Sequence, residues 1–586
     1  YLTLLMRGFR IAVANRRLDR VLMAAGLTAL IGFQTFIILA GSLGAMPLTG
    51  ITVPFISVGG SAMLMNFAYV GLMLRLSSGD PAAMSAPVPY DSRQVRAAIP
   101  HLAALSLLLF GYAVIGGAAR VLSHSAALAT PTDPYNPWMQ LELERTLRGA
   151  ILDLHGNPIV ESVVRGGARI YPDPLLAESL AQTIGYTSRI YGSAGLELAF
   201  EDRLTGQDAR SPLARTFSQL RYLLTREIDG RAVQTTIDPD LQKMVYSLMR
   251  DPDRVYNAGA ALLLEPGTGA IRALVSVPSF NPATIDADYA RLTSDEAAAL
   301  VNAPFLNRVV QGAYAPGSVF KVLTAAAALE QPTHGPNGAV ITPETVFTYA
   351  LEPPPGPAGY NTYWHSNACA TTAAYHGYGT FDFEHALAYS DNVVFAEVGQ
   401  AIGPYRFQDV ATRFGIGQPL DIGIPVRAST LSSSANYLAS ACGLAQTAFG
   451  QGELQLTPLQ VGLIGAAVAN NGRIAYPHLV TSPSIKGKDW QVIDAGTAAQ
   501  VRDMMVTVVE DELGSGAPAR IPGMQVAVKT GTAETAGFPH AWFVGFAPAD
   551  KPRYLVVVVL ENQGEGSRWA APLARDILAA ALEAQP

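Results

Sequence analysis

The stretch GAALLLEPGTGAIRALVSV, Gly259–Val277, contains two apolar runs on either side of the tetrapeptide Pro-Gly-Thr-Gly. Strand-like runs that flank so short a turn predict a β-hairpin. Similar runs return near the end of the chain, at Met524–Ala533, Ala541–Phe546 and Tyr554–Leu560, before a helical segment at Trp569–Ala584. Alanine-rich helical segments lie between. We therefore predict a central antiparallel sheet flanked by helices and built from both ends of one domain.

Within the helical part, GAYAPGSVFKVLTAAAALE (Gly312–Glu330) places Ser318 at a helix start and Lys321 one turn later. Residues three apart on a helix share a face. Of the forty basic residues only six are lysines, and arginine cannot serve as a base because its pKa exceeds about 12. Burial and a neighbouring cation lower the pKa of a lysine enough for it to take a serine proton. A helix cap followed by a surface lysine is the structural alternative.

A Ser-x-Asn motif follows in HALAYSDNVVFAEVG, where Ser390 and Asn392 flank an aspartate. The same pattern occurs at Ser279–Asn281 and Ser434–Asn436, and each copy is compatible with a turn or a helix cap. The middle copy is preferred because it lies between Lys321 and Lys529 in the chain and because apolar helices surround it.

A third motif ends an alternating strand in MQVAVKTGTAE, with Lys529, Thr530, Gly531 and Thr532 in sequence. A strand edge offers backbone hydrogen bonds to an extended peptide, and a lysine with two threonines can hold a carboxylate. A strand that runs into a glycine bulge is the alternative. The order Ser-x-x-Lys, Ser-x-Asn, Lys-Thr-Gly resembles that of penicillin-binding proteins and β-lactamases, serine acyl-transferases that recognise D-alanyl-D-alanine.

Five further stretches are similar to class B penicillin-binding proteins, which are membrane-anchored D,D-transpeptidases. They are RGAILDLHGNPI (Arg148–Ile159), GSAGLELAFEDRLTG (Gly192–Gly206), TTIDPDLQ (Thr235–Gln242), GQGELQLTPLQ (Gly450–Gln460) and HAWFVGFAPAD (His540–Asp550). The resemblance runs from about residue 98 to the end. It departs from the family at Leu154, where an arginine is usual, and this departure is expected to alter a contact in the pedestal domain. The fold it implies is an α+β pedestal below an α/β penicillin-binding domain.

The resemblance also implies roles. Ser318 would attack the carbonyl between the two terminal D-alanines of a stem peptide, and Lys321, neutral at rest, would take its proton. Backbone N–H groups of Ser318 and Thr532 would form the oxyanion hole. An amine of a neighbouring strand would then attack the acyl-enzyme, and β-lactams would be trapped at that stage.

Four other residues complete the implied site. Ser390 and Lys529 would return the proton to the leaving D-alanine, and Asn392 would hold the stem peptide. Thr530 and Thr532, on either side of Gly531, would bind its terminal carboxylate. No metal or cofactor is required by this scheme.

The N-terminal part contains three uncharged apolar stretches that reach the roughly 20 residues needed to cross a bilayer: Val21–Met46, Ile51–Leu74 and Ala97–Ala119. A buried globular helix is the alternative. Several arginines precede the first stretch, and such loops stay in the cytoplasm; they are Arg7, Arg10, Arg16, Arg17 and Arg20. The chain after Arg120 is therefore predicted to lie outside the cytoplasm of a bacterial cell.

The loop PLTGITVPFISVGGS (Pro47–Ser61), together with Gln34 before it, closely resembles the last two helices of SEDS proteins of the RodA/FtsW type. Those proteins are membrane glycosyltransferases that polymerise lipid II. The resemblance implies a polymerase module in cis, which would supply lipid II-derived glycan strands, although residues 1–76 alone are expected not to polymerise. We predict a polymerase–transpeptidase fusion.

The predicted organisation is that of a multidomain membrane protein with five parts. These are SEDS-like transmembrane helices (1–76), a cytoplasmic linker (77–97), a transmembrane anchor (98–119), a pedestal (120–257) and a transpeptidase domain (258–586). The net charge of −7 gives no support for nucleic-acid binding. Cys369 and Cys442 lack metal-site spacing and are either one disulfide or two buried thiols. Two rival functions are a β-lactamase or β-lactam sensor and a non-catalytic regulator of the polymerase.

Overall fold

The computed structural model describes residues 1–42 (except 16), 54–55, 60–78, 97–105, 108–109, 111–112, 146–207, 228–294 (except 255 and 257), 303–348 (except 336 and 337) and 380–584 (except 435 and 486). The chain forms two compact units, Tyr1–Asp133 and Pro134–Pro586.

The described residues of the first unit include the helices α1 (Leu2–Ala14), α2 (Leu18–Ser42) and α3 (Gly60–Ser77). Thr28 and Thr35 sit in the apolar α2, and each hydroxyl donates to the carbonyl four residues earlier at 2.7 Å. Their polar groups are thereby satisfied without water.

One helix among the described residues is long and apolar enough to cross a membrane, Leu18–Ile38, with a mean hydropathy of 2.0. It overlaps the first predicted span. The second predicted span corresponds in part to α3, whose Leu64–Ser77 is a shorter apolar helix. The third is described only at residues 97–105, 108–109 and 111–112, which are helical. The multi-pass topology therefore stays a prediction.

The second unit begins with the predicted pedestal. Its strands are β1 (Thr146–Leu147), β2 (Ile151–Leu152), β3 (Pro158–Val160), β4 (Thr187–Ser188), β5 (Gly192–Ser193), β6 (Ile228–Asp229) and β7 (Val233–Thr235). Its helices are α4 (Pro174–Ser179), α5 (Ala181–Ile184), α6 (Gly195–Ala199), α7 (Glu201–Leu204) and α8 (Pro239–Met249).

The remainder of this unit carries the other elements. The strands are β8 (Gly259–Leu264), β9 (Ile271–Val277), β10 (Val346–Thr348), β11 (Thr380–Asp382), β12 (Arg473–Ile474), β13 (Val480–Ser482), β14 (Trp490–Gln491), β15 (Ala527–Ala533), β16 (His540–Ala547) and β17 (Tyr554–Leu560). The helices are α9 (Ile285–Leu292), α10 (Lys321–Leu329), α11 (Phe383–Ala388), α12 (Asn392–Ile402), α13 (Pro404–Arg413), α14 (Ala441–Ala448), α15 (Pro458–Ala469), α16 (Ala495–Glu510) and α17 (Gly566–Ala584).

The central sheet is antiparallel, in the order β15-β16-β17-β8-β9. The predicted hairpin is its β8–β9 edge, and the three C-terminal strands complete it, which confirms the sequence-based prediction. Every residue of β8 and β17 is buried. The sheet is covered by two pairs of helices: α8 and α17 contact each other and the sheet, and so do α15 and α16. Lys529, in β15, pairs with Val544 of β16 and so lies within this core.

A second sheet joins distant parts of the chain. Its order is β13-β7-β2-β3, so that a strand near residue 480 completes the pedestal sheet. The β2–β3 turn is held by Asp153, whose Oδ1 accepts from the backbone N–H groups of His155 and Asn157, both at 2.8 Å. Leu154 contributes its backbone: its N–H donates to Ile237 O at 2.8 Å. The residue that departs from the family pattern thus still ties the turn to the chain after β7.

Buried charges fix the two halves of the pedestal to each other. Glu197 on α6 accepts from Arg148 Nε and from Arg169 Nε, both at 2.7 Å, and Arg148 also pairs with Glu201. Glu197 and Arg169 are 1% and 3% exposed in their side chains. Charges this deeply buried are tolerated when paired, so these contacts stabilise the packing of α6 and α7 on the β1–β2 segment.

Candidate active site

Ser318 lies in a 3₁₀ turn, Gly317–Phe320, that leads directly into α10. Gly317 has a φ of +57°, and a Cβ there would lie 2.6 Å from Thr532 O. Its N–H donates to Gly450 O at 2.9 Å. The absence of a side chain at Gly317 therefore lets the turn lie directly against the end of β15.

Lys321 is fully buried at the first position of α10. Its Nζ donates to Ser390 O and to Asn392 Oδ1, both at 2.6 Å, and lies 3.3 Å from Ser390 Oγ. Both carbonyl oxygens are acceptors only. A neutral amine satisfies them with its two N–H bonds and keeps one lone pair, which is the group that a base requires.

The protonation of Lys321 depends on its surroundings. Burial lowers the pKa of Lys321 to about 7, and the nearby Asp391 carboxylate partly opposes this shift. Asp391 is itself buried and caps α12, accepting from Val394 N at 2.8 Å. Its contribution was not predicted from the sequence, where it was read only as the middle residue of the Ser-x-Asn motif.

Lys529 approaches the same hydroxyl from the sheet. Its Nζ donates to Ser390 Oγ at 2.9 Å and to Thr530 O at 2.8 Å. Burial and then the charge of Lys321 lower the pKa of Lys529 well below its ordinary value. Ser390 has a φ of +63°, a conformation that is uncommon for a non-glycine residue and that concentrates at functional sites. Two amines with lowered pKa values thus converge on one serine hydroxyl and can exchange a proton through it.

The other residues of the third motif line the end of β15. Thr530 Oγ1 donates to Ser515 Oγ at 2.8 Å, so Ser515 is a contact that the sequence-based prediction missed. Gly531 packs so tightly that a Cβ would lie 3.0 Å from Val319 N. Thr532 is partly exposed, and its Oγ1 accepts from Gly566 N at 3.4 Å. The three predicted motifs are therefore brought together.

Buried groups support the turn that carries Ser318. Trp542 Nε1 donates to Ala315 O at 3.1 Å. Tyr314 OH and Arg308 Nε both donate to Glu561 Oε1, at 2.7 and 2.8 Å. The chain just before the turn is thereby fixed to β16 and to the residue that follows β17.

Two further predictions concern metals and cysteines. Within the described ranges, no three His, Cys, Asp or Glu side chains are grouped so as to hold a metal ion. Cys442, in α14, is disulfide-bonded, which favours the disulfide over two buried thiols. Cys369 lies outside the described residues.

Comparison with known proteins gives three family matches. The penicillin-binding protein transpeptidase domain matches residues 259–579, and the penicillin-binding protein A dimerisation domain matches residues 148–227. The cell cycle protein family of FtsW, RodA and SpoVE matches residues 1–80.

Individual proteins agree with the first two matches. The chain is 32% identical over 506 residues to the peptidoglycan D,D-transpeptidase PbpA of Mycolicibacterium smegmatis, over 79% of this chain and 95% of that protein. Penicillin-binding protein A from M. tuberculosis, solved as a ceftriaxone acyl-enzyme complex, superposes with a TM-score of 0.62 at 30% identity, covering 75% of this chain and all of that one. The D,D-transpeptidase domain of an Eggerthella lenta peptidoglycan glycosyltransferase gives 0.61 at 28% identity, covering 75% of this chain and 99% of that domain.

Proposed function

This chain belongs to the class B penicillin-binding proteins, and on that basis we propose that it is a serine D,D-transpeptidase that cross-links peptidoglycan stem peptides. The observation that carries the proposal is the convergence of Lys321 Nζ and Lys529 Nζ on Ser390 Oγ, at 3.3 and 2.9 Å. Acyl transfer to a serine requires a base that takes the hydroxyl proton and a group that delivers a proton to the leaving amine. Two lysines that share one serine hydroxyl can do both.

In the proposed acylation, Ser318 Oγ attacks the carbonyl carbon between the two terminal D-alanines while its proton passes to Lys321. The backbone N–H groups of Ser318 and Thr532 stabilise the oxyanion. When the tetrahedral intermediate collapses, the C–N bond breaks, and the leaving amine takes a proton from Ser390 Oγ. The proton that Lys321 took from Ser318 then passes to Ser390 with the help of Lys529, so that both lysines are neutral again.

Deacylation reverses the roles. An amine of a second stem peptide attacks the ester, and the proton that it loses passes through Ser390 to Lys321. A new C–N bond forms, the bond between the acyl carbon and Ser318 Oγ breaks, and Lys321 returns the proton to Ser318. Asn392 and the Thr530 and Thr532 hydroxyls are proposed to hold the donor peptide. In a β-lactam the leaving amine is part of the ring. The amine would therefore stay attached to the acyl group after the C–N bond breaks, and it would block the second step.

The test is covalent labelling with a fluorescent penicillin. We expect wild-type chain to be labelled and Ser318→Ala not to be. Ser434→Ala, which alters another Ser-x-Asn copy, is the matched control and should be labelled normally. Equal labelling of Ser318→Ala would refute the site assignment. Rapid release of hydrolysed penicillin would favour the β-lactamase alternative.

The match of residues 1–80 to the FtsW, RodA and SpoVE family supports a further proposal, that the N-terminal helices belong to a SEDS-type polymerase in the same polypeptide. The chain would then be multi-pass, with the catalytic domain outside the cytoplasm and the polymerase supplying glycan strands in cis. Joining the two modules in one polypeptide would raise the effective concentration of each module at the other to about the millimolar range. A native protein without further hydrophobic spans before these helices would refute the fusion.

A further inference from the structure

His385 lies in α11, five residues before Ser390, and outside the three motifs. Its Nδ1 lies 2.5 Å from Asp382 Oδ1, and its Nε2 lies 3.7 Å from Asp511 Oδ2. Asp382 caps α11, whereas Asp511 follows directly after α16. The imidazole therefore stands between carboxylates that belong to two different elements.

The segment Asp511–Gly516 joins the two sides of the site. Ser515 N donates to Ala388 O at 3.0 Å, next to the Ser-x-Asn turn. Ser515 Oγ accepts from Thr530 Oγ1 at 2.8 Å, on the Lys-Thr-Gly strand. A shift of this segment would therefore move the Thr530 hydroxyl relative to Ser390.

We propose that His385 is a positioning residue: in its charged form it ties Asp511 to α11 and so holds Ser515 against Thr530, which makes acylation sensitive to pH. The inference rests on the proposed function, since Thr530 matters only if it binds the substrate carboxylate.

The charge of His385 decides the contact. As imidazolium, the ring donates from Nδ1 to Asp382, and its second N–H faces Asp511 Oδ2 at 3.7 Å in an ion pair. As neutral imidazole it donates from one nitrogen, and the lone pair of the other faces a carboxylate. The contact to Asp511 is then lost or becomes repulsive.

Described groups around the ring favour the charged form. Asp382 and Glu384 lie on its own element, Asp511 faces it from the end of α16, and the Tyr389 ring is 5.6 Å away. Burial acts to lower the pKa of His385, but the three carboxylates outweigh it and the pKa is raised. Glu384 is itself held by Thr507 of α16, and Tyr389 OH donates to Asp511 Oδ2 at 3.4 Å. The two elements therefore meet at a largely acidic joint that one cation bridges.

The test compares second-order rate constants for fluorescent penicillin labelling of the full chain and of His385→Gln between pH 5.5 and 9. The titration of Lys321 affects both proteins equally and cancels in their ratio. The side chains of His385 and Asp511 are 35% and 23% exposed, and a partly exposed ion pair has only a modest effect. Wild type should therefore react about two- to five-fold faster than His385→Gln at low pH. The ratio should fall to one as pH rises and His385 loses its charge. His155→Gln, on the exposed β2–β3 turn, should give a ratio of one throughout.

A second pair of variants tests whether His385 acts through Asp511. In Asp511→Asn, the further change His385→Gln should have no effect at any pH, because the bridged carboxylate is gone. Thermal unfolding at pH 8 checks that each variant is folded.

A wild-type to His385→Gln ratio that does not vary with pH would show a merely structural residue and overturn the proposal. So would an undiminished effect in the Asp511→Asn background. If wild type itself is not labelled, the proposed function fails and the inference with it. Labelling of wild type with a flat ratio would refute the inference alone.

Discussion

The proposed chemistry depends on Lys321, since it is the base that takes the Ser318 proton. Lys321 is buried and donates hydrogen bonds to two carbonyl oxygens. Lys321→Arg retains a cation and a donor but cannot release a proton. General-base catalysis typically contributes about 10²–10⁴-fold, so we expect penicillin labelling to fall by at least about 100-fold. The exposed Lys551→Arg is the control and should label at the wild-type rate. Normal labelling of a folded Lys321→Arg would end the general-base assignment.

The lowered pKa of Lys321 predicts a pH dependence with a definite sign. Its pKa is about 7, so the neutral, basic form is scarce below pH 6 and predominates above pH 8. Labelling of His385→Gln, in which the second titrating group is absent, should therefore rise with pH through about 7. Stopped labelling reactions across this range measure it. A rate that falls with pH would mean that the charged amine is the reactive form.

Residue identities could be predicted where chemistry restricts them. A scarce lysine after a serine and a Lys-Thr-Gly at a strand end are visible in the sequence. Ser515 and His385 could not be found in that way. Their significance arises from contacts with Thr530 and Asp511 across the fold, and serine or histidine in a helix or loop has many ordinary explanations.

At the scale of elements, the 3₁₀ turn and β15 meet through a glycine. Gly317→Ala would place a Cβ 2.6 Å from Thr532 O at a φ of +57°, so the turn must move away from the strand. We expect labelling to fall at least about tenfold and unfolding to become easier by about 1–3 kcal/mol. Gly267→Ala, in the β8–β9 turn where a Cβ meets nothing within 4 Å, is the control. Unchanged labelling by Gly317→Ala would show that this close approach is unimportant.

The pedestal depends on buried charge. Glu197→Gln leaves Arg148 and Arg169 without their shared carboxylate, and breaking a buried pair costs about 3–5 kcal/mol. We expect a clearly lower thermal midpoint, with penicillin labelling of the folded fraction unchanged at low temperature. Glu583→Gln on the exposed end of α17 should have no effect on the midpoint. An unaltered midpoint for Glu197→Gln would mean that these contacts do not stabilise the pedestal.

Local sequence could predict elements but not all of their pairing. The β8–β9 hairpin is encoded by its turn and by apolar runs, and the C-terminal strands alternate as strands do. β13 gave no such signal, because it is three residues long and pairs with β7 across some 245 positions. A strand this short is stabilised by its partners rather than by its own composition.

At the scale of the whole molecule, the two units carry different kinds of signal. The catalytic unit could be interpreted from its motifs because each has a chemical reason. The membrane spans are predicted from length and hydropathy, and one described helix satisfies both criteria. Their kinship is predicted from the resemblance carried by the Pro47–Ser61 loop. If polymerase and transpeptidase act in one polypeptide, cross-links should form while the glycan strand is being made. Cross-linking during glycan synthesis is therefore the behaviour to measure.

The most direct test of the central claim is product analysis. The chain is incubated with glycan strands freshly made by an added polymerase, and the digest is examined for dimeric muropeptides and free D-alanine by mass spectrometry. The account predicts cross-linked dimers with one D-alanine released for each link, and neither product with Ser318→Ala. Dimers formed equally by Ser318→Ala, or D-alanine released by wild type without any cross-link, would contradict it.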